Sequence, residues 1–211
     1  MFQDCTYWGI TGEFGLIGCA DPYQIYVGTY QQCFWVADPN STGGGGYTPP
    51  APPLLKPIPS FSSLASNFGI VAGMTSPQVY QKIGGNVYAN FLMEPDKYNN
   101  ACALRLSYAL NMSPDHAIPF IQDVTVSGDT NNDGVKEWYF LTVSATVEYL
   151  KSTYGNCTPT NTNAIQAKTG IIWQSDCPWL PSATGHVDVW NGINAISHYY
   201  PECENLNFWG N

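Results

Sequence analysis

The apolar residues in the first half of this chain recur at helical spacing. Three helices are predicted there, at residues 60–68, 76–84 and 99–110. Ser60 can cap the first helix, and Pro77 suits the opening turn of the second, which should stop at Gly84-Gly85. Asn99 or Asn100 can cap the third.

Beyond residue 137 the pattern changes to short apolar or alternating runs that are typical of strands. The predicted strands are residues 138–143, 170–174, 186–190 and the tail near 207–209. One further helix is predicted from Ser144 to Thr153. Helices that come first and strands that come later favour an α+β fold with a mostly antiparallel sheet.

A Gly- and Pro-rich linker at residues 43–59 divides the chain. Its glycines give a flexible joint and its prolines a stiffer spacer. The linker separates a Cys- and aromatic-rich accessory segment, residues 1–42, from a domain at residues 57–211 of a size typical of single domains. The segment contains short strand-like runs, and we expect it to dock rather than stay solvated because it is rich in aromatic residues.

Cys102 lies at the opening turn of the third predicted helix. A thiol is a strong nucleophile only as a thiolate, and the positive end of a helix favours that ion. The main-chain N–H of Cys102 is free at this turn and available to a developing oxyanion. Cys102 is therefore the candidate nucleophile of a cysteine amidase, with a buried structural cysteine as the alternative.

His186 is the candidate general base among three histidines. Side chains alternate along a strand, so His186 and Asp188 share one face while Val187 and Val189 share the other. We expect the valines to face the core and the His–Asp pair to face a cleft. A solvated strand histidine is the alternative, and His198 is a further candidate. Cysteine first and histidine later is the chain order of papain-like hydrolases.

Acidic residues outnumber basic ones by 16 to 7, giving a formal net charge of −9. Nucleic acid and anionic membrane surfaces would repel such a chain, so neither is expected as a partner. No run approaches the roughly 18 apolar residues of a membrane span. The N-terminus lacks the features of a secretory signal, so work outside the cytoplasm needs another export route.

Seven cysteines, with few charges and many Asn, Thr and Ser, favour an oxidising environment. Besides Cys102, three cysteines precede the linker and three follow it. Because three is odd, complete pairing predicts at least one disulfide between the N-terminal segment and the domain. Free cysteines scattered through a cytosolic protein are the alternative.

Residues 129–134 have the oxygen-bearing side chains and the glycine that open a calcium loop. Phe140 stands where such a loop needs a bidentate glutamate. A hairpin turn is therefore favoured, and calcium is the alternative. No metal or cofactor is expected in the candidate site.

Two segments resemble motifs of a known family. Residues 100–110 (NACALRLSYAL) resemble the cysteine motif of the type VI secretion amidase effectors, fourth family, and residues 185–192 (GHVDVWNG) resemble their histidine motif. Three further segments are similar in the same order: residues 59–64, 82–85 and 170–172. The resemblance covers residues 57–211.

This resemblance implies a papain-like fold related to bacterial cell-wall peptidases, with the nucleophile helix packed on an antiparallel sheet. It implies that Cys102 and His186 cleave the amide bond between D-isoglutamate and meso-diaminopimelate in peptidoglycan stem peptides. The implied partners are the stem peptide, the type VI secretion apparatus and a cognate immunity protein in the cleft. The implied place of action is the periplasm of a target bacterium.

One position departs from the family pattern. The resemblance implies an orienting aspartate eleven residues past the histidine, flanked by a disulfide, but Ser197 stands there, between Ala195 and Tyr199. The third site residue is therefore expected to be Ser197 by position or Asp188 by chemistry, since a carboxylate stabilises an imidazolium.

Two other functions stay open at this level. One is a housekeeping cell-wall peptidase of the same fold, which the lack of a secretory signal disfavours. The other is a non-catalytic peptidoglycan-binding module with a decayed triad, which Ser197 allows.

Overall fold

The computed structural model describes residues 54–178 and 185–210. The predicted accessory segment and most of the linker lie outside these residues, so their strands and docking stay predictions. Within the described ranges the elements follow in this order: α1 (Phe61–Ala72), α2 (Ser76–Ile83), α3 (Gly85–Met93), α4 (Cys102–Asn111), β1 (Thr125–Gly128), β2 (Glu137–Phe140), α5 (Val143–Tyr154), β3 (Thr158–Thr160), β4 (Gly170–Ser175), β5 (His186–Trp190) and β6 (Asn205–Gly210).

The four predicted helices are all present, but two of their caps differ from the prediction. Ser60 caps α1 as predicted, its Oγ accepting a hydrogen bond from the N–H of Ser63 at 3.3 Å. Helix α4 instead follows Ala101 and has no side-chain cap, so neither preceding asparagine caps it. Helix α5 begins directly after Thr142. The side chain of Thr142 is its N-cap, the role that was predicted for Ser144.

Helix α3 is an element that the sequence pattern missed. Gly84 and Gly85 have φ angles of 68° and 55°, in the region that favours glycine. A Cβ on Gly85 would lie 3.0 Å from the backbone of Gly128 in β1. The glycine pair therefore ends α2 as predicted, and it also lets the chain start a new helix directly against β1.

The strands form two antiparallel sheets, which confirms the α+β prediction. Strands β1 and β2 form a hairpin, and the larger sheet has the order β3-β6-β4-β5. The short strands β1 and β3 were not predicted, because their sequences, TVSG and TPT, contain no apolar run such as that of β2. In this order β5 is an edge strand.

The β1–β2 connection is the hairpin turn that residues 129–134 predicted. Asp129 Oδ1 accepts a hydrogen bond from the N–H of Asp133 at 3.0 Å, and Asp133 Oδ1 accepts one from Val135 at 2.8 Å. These carboxylates thus stabilise the turn itself. Among the described residues, no group of three or more His, Cys, Asp or Glu side chains is placed to hold a metal ion.

Helix α4 is the central element of the domain. It contacts α1, β2 and β5, and eight of its ten residues are buried. The main core joins side chains from α1, α4, α5 and the large sheet: Leu64, Phe68, Leu106, Leu110, Leu150, Ile171, Val187, Val189 and Trp209. Burying one such side chain stabilises the fold by about 1.5–3 kcal/mol, so the position of α4 is strongly fixed. None of the described helices has the length and apolar character needed to span a membrane.

The last residues of the predicted linker pack on the domain. The N–H of Lys56 donates to the carbonyl of Thr153 at 2.8 Å. Pro59 is buried and Ile58 contacts the main core. The compact unit that contains the described residues accordingly starts at Leu55.

The cysteines of the domain do not pair as expected. Cys177 and Cys203 form a disulfide with each other, while Cys102 and Cys157 are free thiols. The predicted disulfide between the N-terminal segment and the domain is therefore wrong. It rested on complete pairing, and Cys157, the remaining domain cysteine, is unpaired.

Candidate active site

Cys102 begins α4, at the end of the helix where main-chain N–H groups are unsatisfied. Only 7% of the residue is exposed. The main-chain N–H groups of Ala103, in the same turn, and of Val187, in β5, both lower the pKa of its thiol. The candidate nucleophile is thus held between a helix N-terminus and a sheet edge.

The imidazole of His186 is the side chain that most strongly favours the thiolate form of Cys102. The Nε2 atom of His186 lies 3.0 Å from the carbonyl oxygen of His198 and 3.3 Å from Oδ2 of Asp188. A carbonyl oxygen only accepts hydrogen bonds, so Nε2 carries a proton. Nδ1 is therefore the nitrogen available to the thiol, in the order thiol, imidazole, carboxylate.

Asp188 is the carboxylate beside His186, and it is completely buried. Its Oδ1 accepts hydrogen bonds from the N–H groups of Val189, Ile196 and Ser197 at 2.7, 3.0 and 3.2 Å. Its Oδ2 accepts one from the N–H of His198 at 3.0 Å. Four main-chain donors stabilise the ionised carboxylate, which offsets the cost of burying it.

Ser197 does not bring its side chain to His186. Its Oγ donates to the carbonyl of Ala72 at the end of α1, at 3.5 Å, while its N–H binds Asp188. Of the two candidates for the third position, the structure thus places Asp188 against the imidazole. His198 contributes its main chain to the site.

The expectation that the His–Asp face opens to a cleft is wrong. All five residues of β5 are buried, and His186 is only 6% exposed. The chain after β5 folds back along the strand edge, where the N–H of Ile196 donates to the carbonyl of Val189 at 2.9 Å. This segment, residues 191–204, covers Asp188, and we call it the covering loop.

Gln174 fixes the covering loop, and the sequence reasoning missed it. Its amide group donates to the carbonyl of Tyr200 at 2.6 Å and accepts from the N–H of Tyr200 at 3.1 Å. The Tyr200 ring packs edge-on against the His186 imidazole, with centroids 4.9 Å apart. A buried glutamine in an otherwise apolar strand was the available signal, because buried amides need partners.

Arg105 supplies a positive charge near the site. It lies one turn after Cys102 on α4 and donates to the carbonyls of Val71 and Met74 at 3.2 and 2.7 Å. Its charge interacts favourably with those of Cys102 and Asp188. The guanidinium thus joins the end of α1 to the nucleophile helix and partly balances two negative groups.

The environment shifts the pKa values of the thiol and the imidazole in opposite directions. Burial alone would raise the pKa of Cys102, but the hydrogen bond and charge of His186 and the two main-chain N–H groups hold it below its ordinary value. Burial alone would lower the pKa of His186, but Asp188 and Cys102 raise it to about 9. A thiolate–imidazolium pair is therefore favoured near neutral pH.

A sequence profile for the type VI secretion system (T6SS) amidase effector protein 4, Tae4, matches residues 98–209, more than half of the chain. The chain belongs to the Tae4 family. This family consists of T6SS effectors that are amidases directed at peptidoglycan. A comparison with curated protein sequences gives no match.

Solved Tae4 structures have a similar fold. The Enterobacter cloacae Tae4 effector superposes with a TM-score of 0.62 at 27% identity, over 74% of this chain and 99% of that one. A Salmonella typhimurium Tae4/Tai4 effector–immunity structure gives 0.61 at 29% identity, over 72% and 97%. Salmonella typhimurium Tae4 in complex with the immunity protein Tai4 from Enterobacter cloacae gives 0.61 at 27%, over 72% and 98%.

In this Tae4-family chain, iodoacetamide at pH 7 is expected to modify Cys102 at least about tenfold faster than Cys157, since one pKa unit is tenfold in thiolate fraction. Burial raises the pKa of Cys157, although Lys151 opposes this. As the pH rises, Cys157 ionises and should catch up, while above about pH 9 the imidazolium of His186 is lost. Peptide mapping by mass spectrometry measures both rates. Faster modification of the more exposed Cys157 would contradict an activated Cys102.

Reducing the Cys177–Cys203 disulfide is expected to destabilise the domain and lower its activity. The bond spans 26 residues that include the covering loop, and opening such a loop costs about 3 kcal/mol in a chain-entropy model. Denaturant unfolding with and without dithiothreitol measures the effect. A Cys177→Ser, Cys203→Ser variant is the control, because reductant should no longer change its stability through this bond. An equal response of wild type and variant would argue against the prediction.

Proposed function

We propose that this Tae4-family chain is a cysteine amidase with a papain-like domain at residues 57–211. It cleaves the D-isoglutamyl–meso-diaminopimelate bond of peptidoglycan stem peptides in the periplasm of a target bacterium, and thus acts as a DL-endopeptidase. The observation that carries the proposal is the buried His186–Asp188 pair, 3.3 Å apart, whose imidazole favours the thiolate of Cys102. A decayed, non-catalytic site would not need this complete order of groups.

In the first half of the reaction the Cys102 thiolate attacks the amide carbonyl carbon. A bond from sulfur to carbon forms, and the carbonyl electrons move to its oxygen. The main-chain N–H of Cys102, at the unsatisfied start of α4, is placed to stabilise this oxyanion. The His186 imidazolium then gives its proton to the amine of diaminopimelate, the carbon–nitrogen bond breaks, and an acyl-enzyme results.

In the second half, water hydrolyses the acyl-enzyme. Neutral His186 takes a proton from water as the hydroxide equivalent adds to the thioester carbon, and the Cys102 thiolate leaves. In both halves of the reaction Asp188 acts on His186. It keeps Nε2 of the ring protonated and stabilises the imidazolium form. The single Nε2–H is shared between Asp188 and the carbonyl of His198, and both acceptors fix the same tautomer.

The immunity partner follows from the relatives. Solved Tae4 structures include complexes with Tai4 immunity proteins. We propose that a cognate immunity protein likewise closes the site of this chain, and that residues 1–42 form an accessory segment joined by the linker.

A defined stem peptide tests the proposed function. Wild-type protein is incubated with L-Ala-γ-D-Glu-meso-diaminopimelate-D-Ala, and with the matched peptide in which D-Glu is linked through its α-carboxyl. Mass spectrometry should detect L-Ala-D-Glu and diaminopimelate-D-Ala from the γ-linked peptide only. Cleavage at a different bond would refute the specificity, and no cleavage of either peptide or of isolated sacculi would refute the amidase.

A further inference from the structure

A concave surface lies at one end of the large sheet. It is a cavity of about 250 Å³. The polar and aromatic side chains that line it come from β3, β4, β6 and the residue before β6: Thr160, Trp173, Ser175, Glu204, Asn205 and Asn207. None of these is used in the proposed mechanism. We call this surface the indole shelf.

The strand register places the indole shelf next to the nucleophile. Pro159, Asn207, Trp173 and Val187 pair in one row across β3, β6, β4 and β5. Val187 and Cys102 pack in the same buried cluster, and the main-chain N–H of Val187 helps to lower the pKa of the thiol. Because neighbouring strands are about 4.8 Å apart, Trp173 and Asn207 lie roughly 5 and 10 Å from Val187 along the row.

The indole ring of Trp173 packs against the main core, but its N–H group makes no internal hydrogen bond in the described part of the chain. Its Nε1 is buried and has no hydrogen-bond partner within the described structure. Lys151 Nζ lies 5.2 Å from the ring centroid and is held by Glu148 at 3.2 Å. A cation–π interaction with Lys151 thus stabilises the ring, which still forms part of the cavity wall.

The chemistry of the shelf selects the class of ligand. An aromatic ring can pack against the C–H face of a pyranose, and amides and hydroxyls can bind its rim. The amides of Asn205 and Asn207 each donate one N–H within the protein, to Asp176 and to the carbonyl of Trp173. Their carbonyl oxygens and second N–H groups match an N-acetyl group. Among the described residues that line the cavity, Glu204 is charged and none is Lys, Arg or His, so an anionic ligand is disfavoured.

We infer that the indole shelf binds an N-acetylated sugar of the glycan strand that carries the stem peptide. This inference rests on the proposed function. Two residues separate the scissile bond from the sugar, and two extended residues span about 7 Å, more with a γ-linkage. That span fits the distance along the row from the thiol to the shelf. A substrate with its glycan would therefore contact both sites at once.

The test compares two substrates: the tetrapeptide alone and the same peptide on a GlcNAc–MurNAc disaccharide. Wild type should prefer the disaccharide-bearing form in kcat/KM. Trp173→Leu, and Asn205→Ala as a variant that spares the partly buried ring, should each lower this preference by about threefold to tenfold, as expected for losing an aromatic or amide contact. Trp138→Leu is the matched control, since Trp138 lies in β2 and packs on Phe120.

A second arm separates failure of the inference from failure of the proposed function. Peptide-free GlcNAc–MurNAc is titrated calorimetrically into the Cys102→Ala protein and its Cys102→Ala, Trp173→Leu counterpart. Binding that the second change abolishes supports the shelf even if neither peptide is cleaved. Equal kcat/KM on both substrates with no disaccharide binding overturns it, as does an unchanged preference in Trp173→Leu and Asn205→Ala.

Discussion

Replacing Cys102 by alanine is expected to reduce stem-peptide cleavage to background, a loss on the order of 10⁵–10⁶ in kcat, as for removal of a covalent nucleophile. No other thiol of the described residues can take over, because Cys157, the other free one, lies before β3 and outside the site. The protein should stay folded, since alanine suits a helix and the cavity left is small. Single-turnover assays with circular dichroism as a fold check measure both effects.

Cys157→Ala is the matched control for this experiment. Cys157 is the other free thiol of the described residues, and it lies directly before β3, outside the described site. Its removal should leave turnover within about twofold of wild type, as for substitutions away from special features. Residual activity in Cys102→Ala, or loss of activity in Cys157→Ala, would assign the nucleophile to the wrong residue.

Replacing Asp188 by asparagine is expected to lower kcat by about 10²–10⁴, the upper value being that known for an orienting aspartate in a serine triad. An amide at this position cannot balance the imidazolium of His186. Its NH₂ group would also face main-chain N–H donors that now bind a carboxylate. The free energy of unfolding should therefore fall by about 3 kcal/mol as well.

Ser197→Ala separates the two candidates for the third position. The Ser197 side chain makes only a 3.5 Å bond to Ala72, while the N–H that binds Asp188 is kept in alanine. Turnover should stay within about twofold of wild type. Steady-state kinetics on one muropeptide, with urea unfolding of both variants, decides between them. A larger loss in Ser197→Ala than in Asp188→Asn would reverse the assignment.

Elements with a clear period were predictable from sequence, and those that depend on tertiary contacts were not. The apolar spacing of residues 102–110 and 186–190 gave α4 and β5. Helix α3 was missed because its start depends on Gly85 approaching the backbone of β1. Two helix caps were misassigned by one or two residues, since several neighbouring polar residues could serve.

The residues of the candidate site could be predicted from the sequence, but the burial of the His186–Asp188 face could not. Spacing alone placed His186 and Asp188 on one strand face, and the structure brings them together. It could not show that the covering loop buries this face, because that depends on hydrogen bonds between Gln174 and Tyr200, 26 residues apart. The same loop decides that Asp188, and not Ser197, lies beside the imidazole.

The covering loop holds Asp188 through main-chain groups, and this determines how far the sequence of the loop can change in evolution. Positions 196, 197 and 198 serve the carboxylate through their main-chain N–H groups. Every amino acid except proline supplies such a group. Mutation can therefore change the side chains at these three positions while the carboxylate keeps its donors. A serine where relatives are expected to have an aspartate is then a tolerated exchange, whereas proline at any of the three positions would remove a donor from the carboxylate.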